Sequence, residues 1–452
     1  MLDPLLSRFL ATNDAPSEVE AKEVQRISDE ALETRLRNEL QIRRLQNKAG
    51  SEPPIKTLTR NNSSLRRTIQ RCRSILSPIR RLPPEILTHI FILTTPVEEA
   101  GNLPWHRSLE QSPWILGHIC RRWRAVALTS PALWSSIVIQ NIYSSDDDSE
   151  PCSIPMLKAQ LTRSGSYPLE VVFEYEVDGQ NGYVVEKALK ALAKCSSRWK
   201  SLSITAQQLK RLPNIRGRVP LLEKLSVVGM EEEETDDGYD SGSSSRAIGH
   251  FAIAPRLRVV EMEMGEPFFD LPLVHLTHYE SNGSWEDHIH ALKALRNVKS
   301  CSLMFAHEFS GHDPFNWGSR TVELSELWKL DISMERYNFG EPYWTCPKWL
   351  RVPALTSLTI DDSLLGGLPE LLQTSKCRLT ALNVAGACPT VEATRPVFES
   401  TPDLVELCID LHRSQIQPHV PELIALLTLK PHTRVVLPKL RKLEMFSPPI
   451  EF

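Results

Sequence analysis

The sequence is short of the features that mark most enzymes and membrane proteins. Its 452 residues hold no GxxxxGK phosphate loop, no GxGxxG after a strand and no GxSxG, so the backbone cradles that bind nucleotides or present a reactive serine are missing. No apolar run approaches the ~20 residues needed to span a bilayer. The start, MLDPLLSRFLATNDA, carries Asp3 and has too short an apolar core for a secretory signal, which predicts an intracellular protein. Nine cysteines are present; the number is odd and no CxxC pair occurs, a pattern that predicts reduced thiols in the cytoplasm or nucleus. The nearest approach to a metal site is His307-Glu308 followed by His312. The second histidine falls five residues on, about 140° round a helix of ~3.6 residues per turn, and cannot share a face with the first. Gly311 and Pro314 also argue for a loop. Intrinsic catalysis, a cofactor and a metal are therefore not expected.

What is present is unevenly charged. The formal net charge is −4, yet between Arg35 and Arg81 there are thirteen Lys or Arg and two acids, whereas Glu231 to Asp240 holds seven acids in ten residues. The basic segment lacks interleaved aromatics and a recognisable nucleic-acid motif, so both stretches read as solvated surface. The acidic run EEEETDDGYDSGSSS, residues 230–247 with its flanks, reads as a flexible loop without a core-forming residue. Asp240-Ser241-Gly242 with Ser245 matches DSGxxS, a ligase recognition signal when both serines are phosphorylated. Regulated turnover of the protein is the hypothesis it raises, and an unchanged half-life after Ser241→Ala with Ser245→Ala would remove it.

Taken in order, residues 1–16 read as unstructured apart from an apolar cluster at Leu2, Leu5, Leu6 and Phe9. Val24, Ile27, Ala31, Leu32, Leu36 and Leu40 recur at three- and four-residue steps and predict an amphipathic helix from Ser17 to about Gln46. A coiled coil would need an unbroken heptad seam, which Asn38 and Gln41 interrupt. Gly50 to Pro54 break the helix. A second helix is expected from about Ser63 to Leu76, stopping at Pro78.

The stretch from 78 to 139 organises the chain. In PIRRLPPEILTHIFILT, Pro83 and Pro84 suit a helix's first turn, where backbone donors are unpaired anyway, and Glu85 is favoured there by the helix dipole. Ile86, Leu87, Ile90 and Phe91, with Leu93 further on, give an apolar face. A second helix presents Trp114, Ile115, Ile119, Trp123, Val126 and Ala127, and Pro131 ends it. Ser136 to Ile139 read as a short strand. The ordered set Leu82-Pro83-Pro84-Glu85-Ile86-Leu87, Cys120-Arg121-Arg122-Trp123 and Pro131-Ala132-Leu133-Trp134 resembles an F-box. With SPIRRLPPEIL, a long insert and then PWILG, it is most similar to the F-box-like proteins abundant in basidiomycete fungi. It departs from the compact F-box at Thr95 to Ser112.

Beyond a polar loop, a helix at Met156–Ser164, a strand at Leu169–Val177 and a helix at Glu186–Cys195 lead into repeats. The unit, L-x-x-L-x-L with other apolar residues allowed, recurs ten times, with middle anchors at Leu202, Leu225, Val260, Thr277, Cys301, Leu330, Leu358, Leu382, Leu407 and Leu443. Alternate strand residues face opposite ways, so ten strands at ~4.8 Å would stack as a parallel sheet. Segments such as Ile289–Leu295 and Leu365–Gln373 have helical spacing for an outer layer. Residues 195–447 resemble the irregular leucine-rich repeats often joined to an F-box, though they lack the asparagine ladder of regular ones.

The expected fold is α/β: N-terminal helices and a helical F-box followed by an irregular leucine-rich-repeat solenoid with a parallel sheet. The expected divisions are 1–62, a disordered start and amphipathic helix; 63–139, a lead-in helix and F-box; 140–194, a connecting α/β segment; and 195–452, the repeats with the acidic loop. The resemblance implies a non-catalytic substrate receptor of an SCF-type ubiquitin ligase in the cytoplasm or nucleus, joined through a Skp-type adaptor to a cullin and a RING subunit. A scaffold without ubiquitin transfer is the alternative, and a basic-arm nucleic-acid binder a third. Carried over from the family, the adaptor contacts are Leu82, Pro83, Ile86, Leu87, Ile90, Phe91, Ile115, Leu116, Ile119, Cys120 and Trp123. An unidentified protein substrate would meet Glu261, Glu263, His278, Trp328, Asp331 and Glu406, which face outward from the strands. Neither a membrane nor a nucleic acid is assigned as a partner.

Overall fold

A computed structural model describes residues 3–46, 52–95, 112–140, 154–174, 182–229, 249–263, 270–283, 285–305, 321–334, 350–386, 389–410, 420–428 and 436–446. The zinc-like His307, Glu308 and His312, the acidic run with its DSGxxS and most of the insert before PWILG lie outside them. The chain divides into a helical unit, residues 1–136 with 155–167, and a second unit, residues 137–154 with 168–452. Together they make a mixed α/β protein with a long parallel sheet.

The helical unit contains α1 (Pro4–Thr12), α2 (Glu18–Leu45), α3 (Glu52–Ile75), α4 (Pro84–Leu93), α5 (Leu116–Ile119), α6 (Arg121–Leu128) and α7 (Ile154–Arg163). The first sixteen residues are not unstructured. Asp3 caps α1 by accepting from Leu5 N at 2.8 Å, Pro4 occupies its first position, and Leu6 and Phe9 are buried with Val24, Cys72 and Ile75. A nine-residue helix is marginal alone, so this tertiary anchor, invisible to local periodicity, decides its structure. Helix α2 begins at a capping box between Ser17 and Glu20, as its first turn of Ser-x-x-Glu requires. Helix α3 begins at Glu52, eleven residues before the expected start. Helix α2 has ended by Leu45, as the expected break requires, but Pro53 and Pro54 belong to the first turn of the next helix, where a missing N–H is harmless. The division at residue 62 therefore cuts through α3.

The second unit is built on one twelve-stranded sheet with strands in chain order, β1 (Ser136–Gln140), β2 (Leu169–Glu174), β3 (Trp199–Thr205), β4 (Lys224–Val228), β5 (Val259–Met262), β6 (His278–Gly283), β7 (Ser300–Phe305), β9 (Lys329–Met334), β11 (Ser357–Asp361), β12 (Ala381–Ala385), β13 (Glu406–Asp410) and β14 (Lys442–Phe446). The short strands β8 (Val322–Glu323) and β10 (Leu350–Arg351) pair separately. Every described pairing in the long sheet is parallel. Helices α8 (Gly182–Ala193), α9 (Ala206–Arg211), α10 (Trp285–Ala294), α11 (Leu368–Ser375), α12 (Val391–Ser400) and α13 (Val420–Leu427) lie in the returns between strands. The 140–194 segment is not a separate connector: α7 belongs to the helical unit, while β2 and α8 belong to the sheet unit.

Register tests the repeat anchors one by one. Leu202, Leu225, Val260, Cys301, Leu330, Leu358, Leu382, Leu407 and Leu443 stand opposite one another along the sheet. Between Val260 and Cys301 the partner is Tyr279, two residues after the expected Thr277. From β3 to β13 the buried residue three positions before each anchor sets the frame. Leu276, three residues before Tyr279, is fully buried, as are Leu222, Leu257, Val298, Leu327, Leu355, Leu379 and Leu404 at the same offset. Leu273 is not buried. Two further strands, β1 and β2, extend the sheet at its start, with Val171 opposite Leu202. From β3 to β13 the anchors and their i+2 partners are buried and the residues between them point out, whereas Leu443 on the last strand is 45% exposed.

Candidate functional site

Two surfaces stand out, one in each unit. In the helical unit residues 78–95 and 112–134 fold round a core of Leu87, Phe91, Trp114, Leu116, Val126, Ala127, Leu133 and Trp134. Trp114 and Trp134 meet edge to face at 4.9 Å, and the Arg163 guanidinium from α7 lies 4.8 Å and 4.4 Å from their ring centres. Such a planar cation is well placed over indoles. Trp134 Nε1 donates to Ala127 O at 2.8 Å, and the Phe91 and Trp123 rings are 4.8 Å apart. Arginines satisfy backbone carbonyls around this module: Arg122 donates to the carbonyls of Arg80 and Leu82, and buried Arg80 donates to Phe9 O at 2.9 Å and Asp14 O at 3.1 Å. Burial lowers the Arg80 pKa.

The expected second helix is interrupted. Cys120 is extended, with φ −160° and ψ 166°, and its Sγ accepts from Trp123 N at 3.4 Å, so it caps α6 and separates it from α5. With this core filled, α4 still turns an apolar strip outward: Ile86 is 47% exposed and Leu93 85%, with half-buried Ile90 between them on the same face. At the end of α5, Ile119 is 48% exposed.

In the sheet unit, the outward residues form rows across the strands. One row runs Ser203, Ser226, Glu261, Glu280, Ser302, Asp331, Thr359, Asn383, Cys408, Glu444. The next holds Lys224, His278, Lys329, Glu406 and Lys442 among smaller residues. Lys224 pairs with Glu261 at 2.8 Å and Lys442 with Glu444 at 3.0 Å. Carboxylates crowd the middle of this face. Burial, then repulsion by Glu261 and Asp331, pushes the Glu280 carboxyl above its ordinary value; Glu263 is pushed up by burial and by Glu174, Glu280 and Glu261, and Asp331 by burial.

The chain matches no protein-family model and no curated protein.

Of the eleven expected adaptor contacts, Leu87, Phe91 and Leu116 are buried in the module's own core and cannot touch a partner in this conformation. The face they were assigned to is turned about 100° away from them on α4, because successive helical residues diverge by that angle. Pro83, Ile86 and Ile119 are exposed, and Leu82, Ile90, Ile115, Cys120 and Trp123 are half-buried. The expected contacts omit exposed Ile92 and Leu93, although the apolar face read from the sequence already held Leu93, which is seven residues past Ile86 and shares its face. Of the expected substrate contacts, Glu261 and Asp331 share the central row, while His278 and Glu406 share the next. Glu263 follows β5, and Trp328, 46% exposed, precedes β9. Glu280, at the centre of the acidic row, was missed because the misplaced anchor at Thr277 hid its register.

Raised carboxylate pKa values fix a sign. A carboxyl whose folded pKa lies above its unfolded value of ~4.3 destabilises the fold once ionised, and this cost is relieved as pH falls below the unfolded value. Glu280→Gln is therefore expected to raise the unfolding temperature of the sheet unit at pH 7, with the gain vanishing near pH ~4. Thermal scans of both proteins across that range read it directly; a gain that grew on acidification would contradict the assignment.

Proposed function

We propose that this protein is the substrate-receptor subunit of an SCF-type ubiquitin ligase: a helical F-box docks on a Skp-type adaptor, and an irregular leucine-rich-repeat solenoid holds the protein substrate. The observation that carries the reading is the outward strip of Ile86, Ile90 and Leu93 on α4, with exposed Ile119 at the end of α5, on a module whose own core is already filled. Exposed aliphatic residues concentrated on one small helical module suit a partner interface. The strip stands in the stretch whose LPPEIL, CRRW and PALW order resembles an F-box. Supporting the second half, L-x-x-L-x-L anchors recur in register along the parallel sheet, and one such repeat cannot bury its apolar side without neighbours.

On this reading the protein performs no bond chemistry. It raises the effective concentration of a substrate lysine near the ubiquitin thioester carried by the rest of the assembly. The outward rows containing Glu261, Asp331, His278 and Glu406, with Glu263 and Trp328 beside them, are the substrate-facing surface. The test is affinity purification of the tagged full chain: adaptor and cullin together are the expected result. Adaptor without cullin would give the scaffold role, and neither would overturn the proposal.

A further inference from the structure

Helix α3 carries six basic residues and, in its first turn, a single acid. None of Lys56, Arg60, Arg66, Arg67, Arg71 and Arg73 has an ion-pair partner among the described residues, whereas Arg8, Arg26, Arg35 and Arg37 in the two preceding helices all pair with glutamates. Lys56, Arg60, Arg67 and Arg71 recur at i, i+4, i+11 and i+15, which at ~100° and ~1.5 Å per residue places them within one narrow arc about 22 Å long. The opposite side of α3, with Ile69, Cys72 and Ile75, is buried, and Asn38 Nδ2 donates to Asn62 Oδ1 at 3.0 Å where α2 lies against it. The basic stripe therefore faces away from the packed side. Unneutralised arginines on a rigid helix repel one another at a cost that a polyanion would relieve.

The composition of the exposed arc selects among polyanions. Between the cations stand Thr59, Ser63, Gln70 and Ser74, all exposed, and α3 has no aromatic residue. Single-stranded nucleic acid is held by aromatic stacking, which is missing here. An anionic membrane would take an amphipathic helix with large apolar residues on its outer face, and the described arc has none. Arginine-rich charge flanked by short hydroxyl and amide side chains suits phosphate oxygens, which it can contact bidentately. An α-helix fits the ~12 Å major groove of B-form DNA, and 22 Å of such a duplex presents on the order of a dozen phosphate charges.

We propose that the exposed face of α3 binds the phosphate backbone of double-stranded DNA without sequence preference. This activity is independent of adaptor docking: its residues lie on α3, and the adaptor strip lies on α4 and α5.

The experiment is fluorescence anisotropy of the purified full chain with a labelled duplex of arbitrary sequence at several salt concentrations. Four to six phosphate contacts predict a log–log salt slope of about −4 to −5. The triple variant Arg60→Glu, Arg67→Glu, Arg71→Glu is expected to weaken binding at least about a hundredfold and to flatten the slope by about 3. Its unfolding temperature should match the parent's, since no partner of these arginines is lost. Duplex binding that is absent, insensitive to salt or unchanged in the variant would overturn the proposal. So would tighter binding of polyglutamate or of vesicles containing phosphatidylserine through the same three arginines, which would make the partner an acidic protein or a membrane.

Discussion

Ile86→Asp combined with Leu93→Asp is expected to lower affinity for a Skp-type adaptor by on the order of a hundredfold, without lowering the protein's unfolding temperature. Both side chains project from α4 into solvent, so the free chain loses no packing. In the complex two carboxylates would be stripped of water against an apolar partner, which is among the costlier changes an interface can meet. Titration of adaptor into each protein measures the loss, and circular dichroism checks the fold. Leu87→Ala is the informative contrast, because it removes a fully buried side chain and is expected to cost about 2–5 kcal/mol of stability. Equal affinity in the double aspartate variant would show that the strip is not the docking face.

Trp134→Ala is expected to destabilise the helical unit by about 3–5 kcal/mol, as for other buried aromatics. Trp134 is 2% exposed; its loss also removes the 2.8 Å hydrogen bond to Ala127 O, leaves Trp114 without its edge-to-face neighbour and removes one of the two rings beneath Arg163. Single domains have ~5–15 kcal/mol in all, so the change takes a large share. Chemical denaturation followed by tryptophan fluorescence gives the number. Trp328→Ala, at a site 46% exposed, is expected to stay within about 0.5 kcal/mol, and the two together separate a core tryptophan from one available to a ligand.

Where a residue's role is fixed by its nearest neighbours in sequence, it was legible. The helix start at Pro84, the strand period and nine of the ten sheet anchors follow from local spacing. Where the role depends on what lies across the fold, it was hidden. Thr277 and Tyr279 have the same parity in the strand, so alternation could not separate them; burial of Leu276 did. Leu87 and Ile86 are equally apolar, and the placement of Trp114, Trp134 and α6 decides which of them faces inward. Cys120 reads as an apolar contact until its Sγ is found at the head of α6. Helix α1 needed α3 before it had a reason to exist.

Neighbouring strands in the long sheet keep step over very different lengths of intervening chain. From Leu225 to Val260 the path is 35 residues and from Leu358 to Leu382 it is 24, yet both members of each pair stand side by side in unbroken register. Closing a longer excursion costs little, since the entropy grows only with the logarithm of its length. Lengthening or trimming a detour is therefore a cheap genetic edit here. New recognition loops could be grafted at almost any rung while the ladder beneath them kept its count.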